Sequence, residues 1–265
     1  MNKLKCTAAA VSCALAILAF AATAQAKIVT KTVDYTIGSD PFQGYLAYDD
    51  ATKGKRAGVV VFPAWTGISS NERDHAHKLA KLGYVVFVAD TYGKGINPKP
   101  PKDAGMEAGR YMKDRNLYRA HAQAALAQLA KNPMVDANRI AAIGYCFGGA
   151  GALELARSGA NLKAVVVFHA DLTSPTPDDD KNIKGRVLAL HGADDPIVPQ
   201  AEREKFEKEM RDARLDWQLV TYSNAMHCFT DAEAGTDTSH GCAYNPEAEK
   251  RSFQAMRDFF QETLR

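Results

Sequence analysis

Arg139-Ile140-Ala141-Ala142-Ile143-Gly144-Tyr145-Cys146-Phe147-Gly148-Gly149-Ala150 is the stretch from which the rest of the chain can be read. Its first half is short, apolar and β-branched, as a strand buried in a sheet requires. Its second half is rich in small residues and continues into Leu153-Glu154-Leu155-Ala156-Arg157, which reads as helix. Between them, Gly144-x-Cys146-x-Gly148 has the spacing of a nucleophile elbow, with cysteine where serine is usual. A strand that turns at once into a helix crowds its own backbone, and residues without Cβ relieve that crowding. The turn exposes the central side chain beside the N-terminus of the new helix, whose positive dipole end favours a thiolate. A buried cysteine at a glycine-rich turn has the same spacing, so partners for the thiol must be sought elsewhere in the chain.

Upstream, Ile28 to Ile37 alternates through Val33, Tyr35 and Ile37, Gly38-Ser39-Asp40-Pro41 turns the chain, and Phe42 to Tyr48 returns as the second strand of an antiparallel hairpin. From Ala57 the pattern changes to the continuous apolar run Gly58-Val59-Val60-Val61-Phe62, the mark of a strand covered on both faces. Ser69-x-x-Glu72 is a capping box that opens a helix, and Gly83 closes it. Tyr84 to Ala89 is the next buried strand. Thr91 to Asp103 is a Gly-, Pro- and Lys-rich surface loop, and helical stretches follow to Lys131, broken near Arg115-Asn116. Downstream of the elbow come the strand Val165 to Phe168, an acidic excursion from Asp171 to Lys184, and the strand Arg186 to Leu190. A helix over Gln200 to Arg211, a last strand over Trp217 to Tyr222 and a helix over Pro246 to Leu264 complete the chain. Alternation of this kind predicts a mostly parallel sheet covered on both faces, with ligands at the C-terminal ends of its strands. The chemistry is therefore expected in the loops after Phe62, Ala89, Gly144, Leu190 and Tyr222.

Two of those loops hold what a thiol nucleophile needs. His191-Gly192-Ala193-Asp194-Asp195-Pro196-Ile197-Val198-Pro199 follows one strand, and Ser223-Asn224-Ala225-Met226-His227-Cys228-Phe229 follows another. Cys146, Asp195 and His227 then occur in the nucleophile–acid–base order of an α/β-hydrolase. His227 is expected to take the thiol proton and return it to the leaving group, while Asp195 fixes the imidazole tautomer. His169 and His191 also sit at strand ends but out of that order. Asp195 is preferred to Asp194 because it directly precedes the turn-forming Pro196, where Asp194 can simply cap the turn. The backbone N–H groups of Phe147 and of Trp65, in Pro63-Ala64-Trp65-Thr66-Gly67, are the candidate oxyanion donors. No metal is expected, since no His, Cys and Asp cluster has ligand spacing and His75-x-His77 on a helix points two ways.

Met1 to Ala26 reads as a signal peptide rather than as part of the fold. Lys3 and Lys5 form a basic start, Ala8 to Ala22 an apolar run, and Ala24-Gln25-Ala26 a small-x-small cleavage site. An uncleaved anchor is the competing reading, although the run is short for a membrane span. Export to a periplasm or to the medium follows. Residues 27–265 then form a single α/β domain carrying 31 basic and 31 acidic side chains, a balance with no global attraction to nucleic acid or anionic lipid. Three cysteines remain: Cys146, Cys228 and Cys242. A Cys228–Cys242 bridge would leave Cys146 free and add roughly 3 kcal/mol; two unpaired thiols, or a Cys146–Cys228 bridge that silences the site on oxidation, are the alternatives.

With Gly144-Tyr145-Cys146-Phe147-Gly148-Gly149, His191-Gly192-x-x-Asp195-x-x-Val198-Pro199 and His227-x-Phe229 in order, the chain resembles the dienelactone hydrolase (carboxymethylenebutenolidase) family over most of residues 30 to 265. The resemblance implies an α/β-hydrolase fold and cofactor-free hydrolysis of a small ester or lactone by a Cys-His-Asp triad. This chain departs from the family pattern in three ways. Ala64 stands where the well-studied members carry a glutamate that governs the thiol's resting state. Of the two arginines that hold the dienelactone carboxylate, one aligns with Lys94, a candidate substrate contact, and the other with Asp231, which would repel it. Export is also at odds with intracellular aromatic catabolism. The sequence therefore suggests an exported relative with a different substrate, against two alternatives on the same fold: a non-hydrolytic binding protein and a thiol redox sensor.

Overall fold

The computed structural model describes residues 27–265, so the expected signal peptide lies outside the described residues. Strands β1 (Ile28–Ile37), β2 (Asp40–Asp49), β3 (Arg56–Phe62), β4 (Val85–Val88), β5 (Val135–Tyr145), β6 (Ala164–Phe168), β7 (Arg186–Gly192) and β8 (Trp217–Tyr222) form one eight-stranded sheet in the order β1-β2-β4-β3-β5-β6-β7-β8. β1 and β2 make the antiparallel hairpin, β2 joins β4 antiparallel, and every later pairing is parallel. Helices α1 (Ser70–Lys81), α2 (Lys102–Lys113), α3 (Arg115–Ala130), α4 (Phe147–Arg157), α5 (Gln200–Asp212) and α6 (Pro246–Thr263) cover both faces. This is the α/β-hydrolase fold.

The continuous apolar runs behave as their composition demands. All residues of β3, β4 and β6 are buried, and two apolar clusters form, one on each face of the sheet. The capping box starts α1 as read, with Ser69 Oγ accepting from Asn71 N–H and Glu72 reaching back to Ser69. Asn245 caps α6 through the N–H groups of Glu247 and Ala248. Inside the interior, Arg157 is held by Asp180 at 2.7 Å and Glu154 at 3.3 Å, all three fully buried.

Boundaries differ from the sequence expectation where backbone geometry outweighs local composition. The hairpin turn is only Gly38-Ser39, with Gly38 at φ +59°, and Pro41 lies inside β2. A proline is tolerated there because β2 pairs with β4 only across Tyr45 to Ala47, leaving Pro41 with β1 alone. β5 starts five residues before Ile140, at Val135, which pairs with Arg56 across a shift in register. The acidic excursion contains a short 3₁₀ helix, Pro177–Asn182.

The parallel register sets the strand ends level. Phe62 pairs with Gly144, Tyr145 with Phe168, Phe168 with Leu190, and Gly192 with Tyr222. The loops that follow β3, β5, β6, β7 and β8 therefore open on one rim, where ligands bind in sheets of this kind.

Candidate active site

The elbow between β5 and α4 holds Cys146 at φ 54° and ψ −123°, backbone space that a residue with a Cβ rarely enters. Surrounding glycines make the turn feasible. A Cβ on Gly144 would land on the Gly148 carbonyl, and one on Gly148 would land on the carbonyl oxygens of Phe62 and Pro63. One on Gly149 would overlap the Ala170 methyl. These close approaches press the start of α4 against the end of β3 and lift the Cys146 side chain out of the sheet, half-buried and free of disulfide.

His227 and Asp195 arrive from the loops after β8 and β7. His227 Nε2 lies 3.1 Å from Cys146 Sγ, and His227 Nδ1 lies 2.8 Å from Asp195 Oδ2. The other carboxylate oxygen, Asp195 Oδ1, accepts from the N–H groups of Ile197 at 2.8 Å and Val198 at 3.0 Å. Asp194, by contrast, is exposed. Burial opposes charge on His227, but the Cys146 sulfur and then the Asp195 carboxylate outweigh it, raising the imidazole from 6.5 to about 10. Burial also resists ionisation of Asp195, and the bonds from His227, Val198 and Ile197 reverse that effect, holding the carboxyl below its ordinary range. The arrangement favours the imidazolium form of His227.

The other candidate histidines have different surroundings. His191 is wholly buried inside β7 with neither ring nitrogen bonded, and burial lowers it to about 3. His169, at φ 39°, packs its ring edge-on against His227 at 5.1 Å and bonds Thr230 Oγ1 at 2.9 Å. Burial keeps it well below the usual histidine range, and therefore neutral behind the charged ring. Among the described residues no three His, Cys, Asp or Glu side chains gather as a metal site.

Trp65, Cys146, Phe147 and His227 line one cavity of about 210 Å³. Phe147 is the first residue of α4, so its N–H has no acceptor within the helix. Trp65 N–H donates to no backbone carbonyl among the described residues. Two contacts that the sequence did not reveal fix the Trp65 loop: Tyr92 donates to the Trp65 carbonyl at 2.7 Å, and Ala64 N–H donates to Glu72 Oε1 at 3.2 Å. Glu72 therefore caps α1 and anchors the loop that carries Trp65. Tyr118, fully buried, stacks on Phe147 at 4.8 Å and bonds its carbonyl. Lys94 departs from expectation. It does not line the cavity, because its ammonium pairs at 2.8 Å with Asp34 of the outermost strand, β1. Asp231 caps a 3₁₀ turn, accepting from Glu233 N–H.

Cys228 is bonded to Cys242. The bridge fastens the segment after His227 to residues 241–243, and Ala243 N–H adds a bond to the His227 carbonyl at 3.0 Å. With Cys228 bonded in this way, the Cys146–Cys228 alternative does not apply to this structure.

Fold and rim together define an α/β-hydrolase. The chain belongs to the dienelactone hydrolase family, whose model matches residues 42–264. It is 44% identical to the solved structure named m3DLH, over 90% of this chain and 99% of that one, with a TM-score of 0.86. It is 40% identical to the dienelactone hydrolase-like promiscuous phosphotriesterase P91 from metagenomic libraries, with the same coverage and a TM-score of 0.85. The Caenorhabditis elegans protein K02A2.1 is 34% identical over 157 residues, 57% of this chain and 98% of that one. The family makes this chain an ester or lactone hydrolase.

Proposed function

We propose that the protein is an exported hydrolase that opens a small ester or lactone through Cys146, His227 and Asp195, by way of an acyl-thiol intermediate. One run of contacts carries the reading: Sγ to Nε2 at 3.1 Å, then Nδ1 to Oδ2 at 2.8 Å. In the first half-reaction the Cys146 thiolate attacks the carbonyl carbon, and the charge that develops on its oxygen meets the N–H groups of Phe147 and Trp65. The intermediate collapses as His227 Nε2–H protonates the departing alkoxide, leaving a thioester on Cys146 and a neutral imidazole. In the second half-reaction Nε2 removes a proton from water, hydroxide adds to the thioester, and the thiolate leaves with the imidazolium restored. Asp195 keeps the proton on Nδ1 throughout and takes none itself.

Export is supported by residues 1–26 and by the Cys228–Cys242 bridge, since disulfides persist in oxidising compartments. The missing glutamate at Ala64 leaves His227 and the α4 dipole to stabilise the thiolate. The test is hydrolysis of a short p-nitrophenyl ester by wild type and by Cys146→Ala. Loss of several powers of ten in kcat/KM is expected, and equal rates would refute the assignment. Fractionation of the expressing cell should find the protein outside the cytoplasm, beginning at Lys27.

A further inference from the structure

Besides the reacting residues, the cavity is lined by Ala108, Met112, Ile197 and Val198, and by two carboxylates, Asp171 and Glu202. Among the described residues no lysine or arginine lines it. Each carboxylate is held in place: Glu202 Oε1 accepts Leu172 N–H at 2.9 Å, and Asp171 Oδ1 accepts from the Thr173 N–H and hydroxyl. Three of the cations around them are engaged elsewhere. Arg203 donates to the carbonyls of Val198, Gly192 and Ala193, Arg119 binds Glu154 and Asp179, and Lys205 pairs with Glu209. The fourth, Arg115, reaches Thr173 Oγ1 at 3.2 Å, the hydroxyl that donates to Asp171; among the described residues it has no carboxylate partner, and it does not line the cavity. Outside the run of Cys146, His227 and Asp195, the charged side chains on the cavity wall are these two carboxylates in otherwise apolar surroundings, and burial raises the Glu202 carboxyl above its ordinary range.

We infer that Asp171 and Glu202 make this cavity select uncharged substrates over anionic ones, so that the acyl group delivered to Cys146 carries no carboxylate. The inference rests on the proposed reading of the site and narrows its substrate class. It reverses the charge preference implied by the two arginines of the resemblance, neither of which has a counterpart in this cavity. A carboxylate on a substrate in this cavity would share its walls with two like charges. The resulting discrimination is on the order of tenfold for each wall carboxylate, and salt should reduce it.

The first measurement needs no turnover. Cys146 is the single free thiol among the described residues, so its alkylation by neutral iodoacetamide and by anionic iodoacetate can be compared at about pH 8, with 2-mercaptoethanol as reference. Glu202→Gln and Asp171→Asn retain an acceptor for the same backbone N–H groups while removing the charge. Each is expected to lower the amide-to-acid rate ratio about tenfold, and added salt to lower it in wild type. Glu204→Gln, on the exposed side of α5, should leave the ratio where it was. A ratio that falls in neither wall variant, or falls equally in Glu204→Gln, overturns the inference. The second measurement is kcat/KM for p-nitrophenyl butyrate against mono-p-nitrophenyl succinate, which should show the same order of preference and the same response to the wall variants. If neither ester turns over while the alkylation ratio moves as expected, the hydrolytic reading fails and the charge selection stands.

Discussion

Replacing Asp195 by Asn tests the part of the site most dependent on one proton. The imidazole of His227 rises from 6.5 to about 10, which corresponds to about 5 kcal/mol in favour of the imidazolium. That stabilisation is shared, with the Cys146 sulfur the larger contributor and Asp195 the next. In Asp195→Asn the side-chain oxygen can still accept from Ile197 and Val198 N–H, which turns the amide NH₂ toward His227 Nδ1. That nitrogen must then accept, and the ring proton moves to Nε2, facing Sγ, where it can no longer receive one. Lost charge stabilisation and the wrong tautomer together are expected to lower kcat/KM on a p-nitrophenyl ester by about 10²- to 10⁴-fold. The pH profile gives an independent readout. Because the folded-state value is raised, the imidazolium is fully present below 6.5 and lost as pH rises through about 10. The alkaline limb of kcat/KM, which reports acylation by the free enzyme, therefore lies near 10 in wild type and moves to lower pH in the variant. A variant with more than a tenth of wild-type activity and an unmoved alkaline limb would refute the reasoning.

Gly148→Ala forces a Cβ onto the carbonyls of Phe62 and Pro63 and should cost about 3 kcal/mol or more, a fall in Tm of roughly 6–12 °C by calorimetry. Gly109→Ala, in α2 with open space at the Cβ position, should raise stability by about 0.5–1 kcal/mol in the same assay. The paired variant Cys228→Ser with Cys242→Ser should lower stability by roughly 3 kcal/mol and reduce ester turnover, because the bridge fastens the His227 loop. Reductant should reproduce both losses in wild type and add nothing to the variant. Asp180→Ala leaves Arg157 buried beside Glu154 alone and should cost about 3–5 kcal/mol in denaturant unfolding.

The elbow was legible because its chemistry is local. Gly144, Cys146 and Gly148 encode a strand-to-helix turn in five residues, and the apolar runs at Val59 to Phe62 and Val165 to Phe168 encode a sheet covered on both faces. Asp195 and His227 could be read from strand order, with Pro196 deciding between Asp194 and Asp195, because a parallel sheet brings the ends of sequence-distant strands to one rim. Contacts made across the sheet's edge were not legible. Whether Lys94 faces the cavity or Asp34 depends on where the edge strand β1 places Asp34, and no local pattern records that. Glu72 was visible as a capping residue, but its bond to Ala64 N–H crosses between elements. Asp171 opens an acidic excursion and Glu202 lies on a charged helix, with nothing local to link them, and only the packing of α5 against the loop after β6 brings them to the cavity wall.

The proposed mechanism requires a covalent acyl group on the Cys146 sulfur. Wild-type protein mixed with p-nitrophenyl acetate, quenched in acid within the first turnover and digested with trypsin, is expected to carry acetyl on the peptide containing Cys146, and Cys146→Ala to carry none. Full release of p-nitrophenol with no acetyl on that peptide, or with acetyl on another residue, would contradict the account.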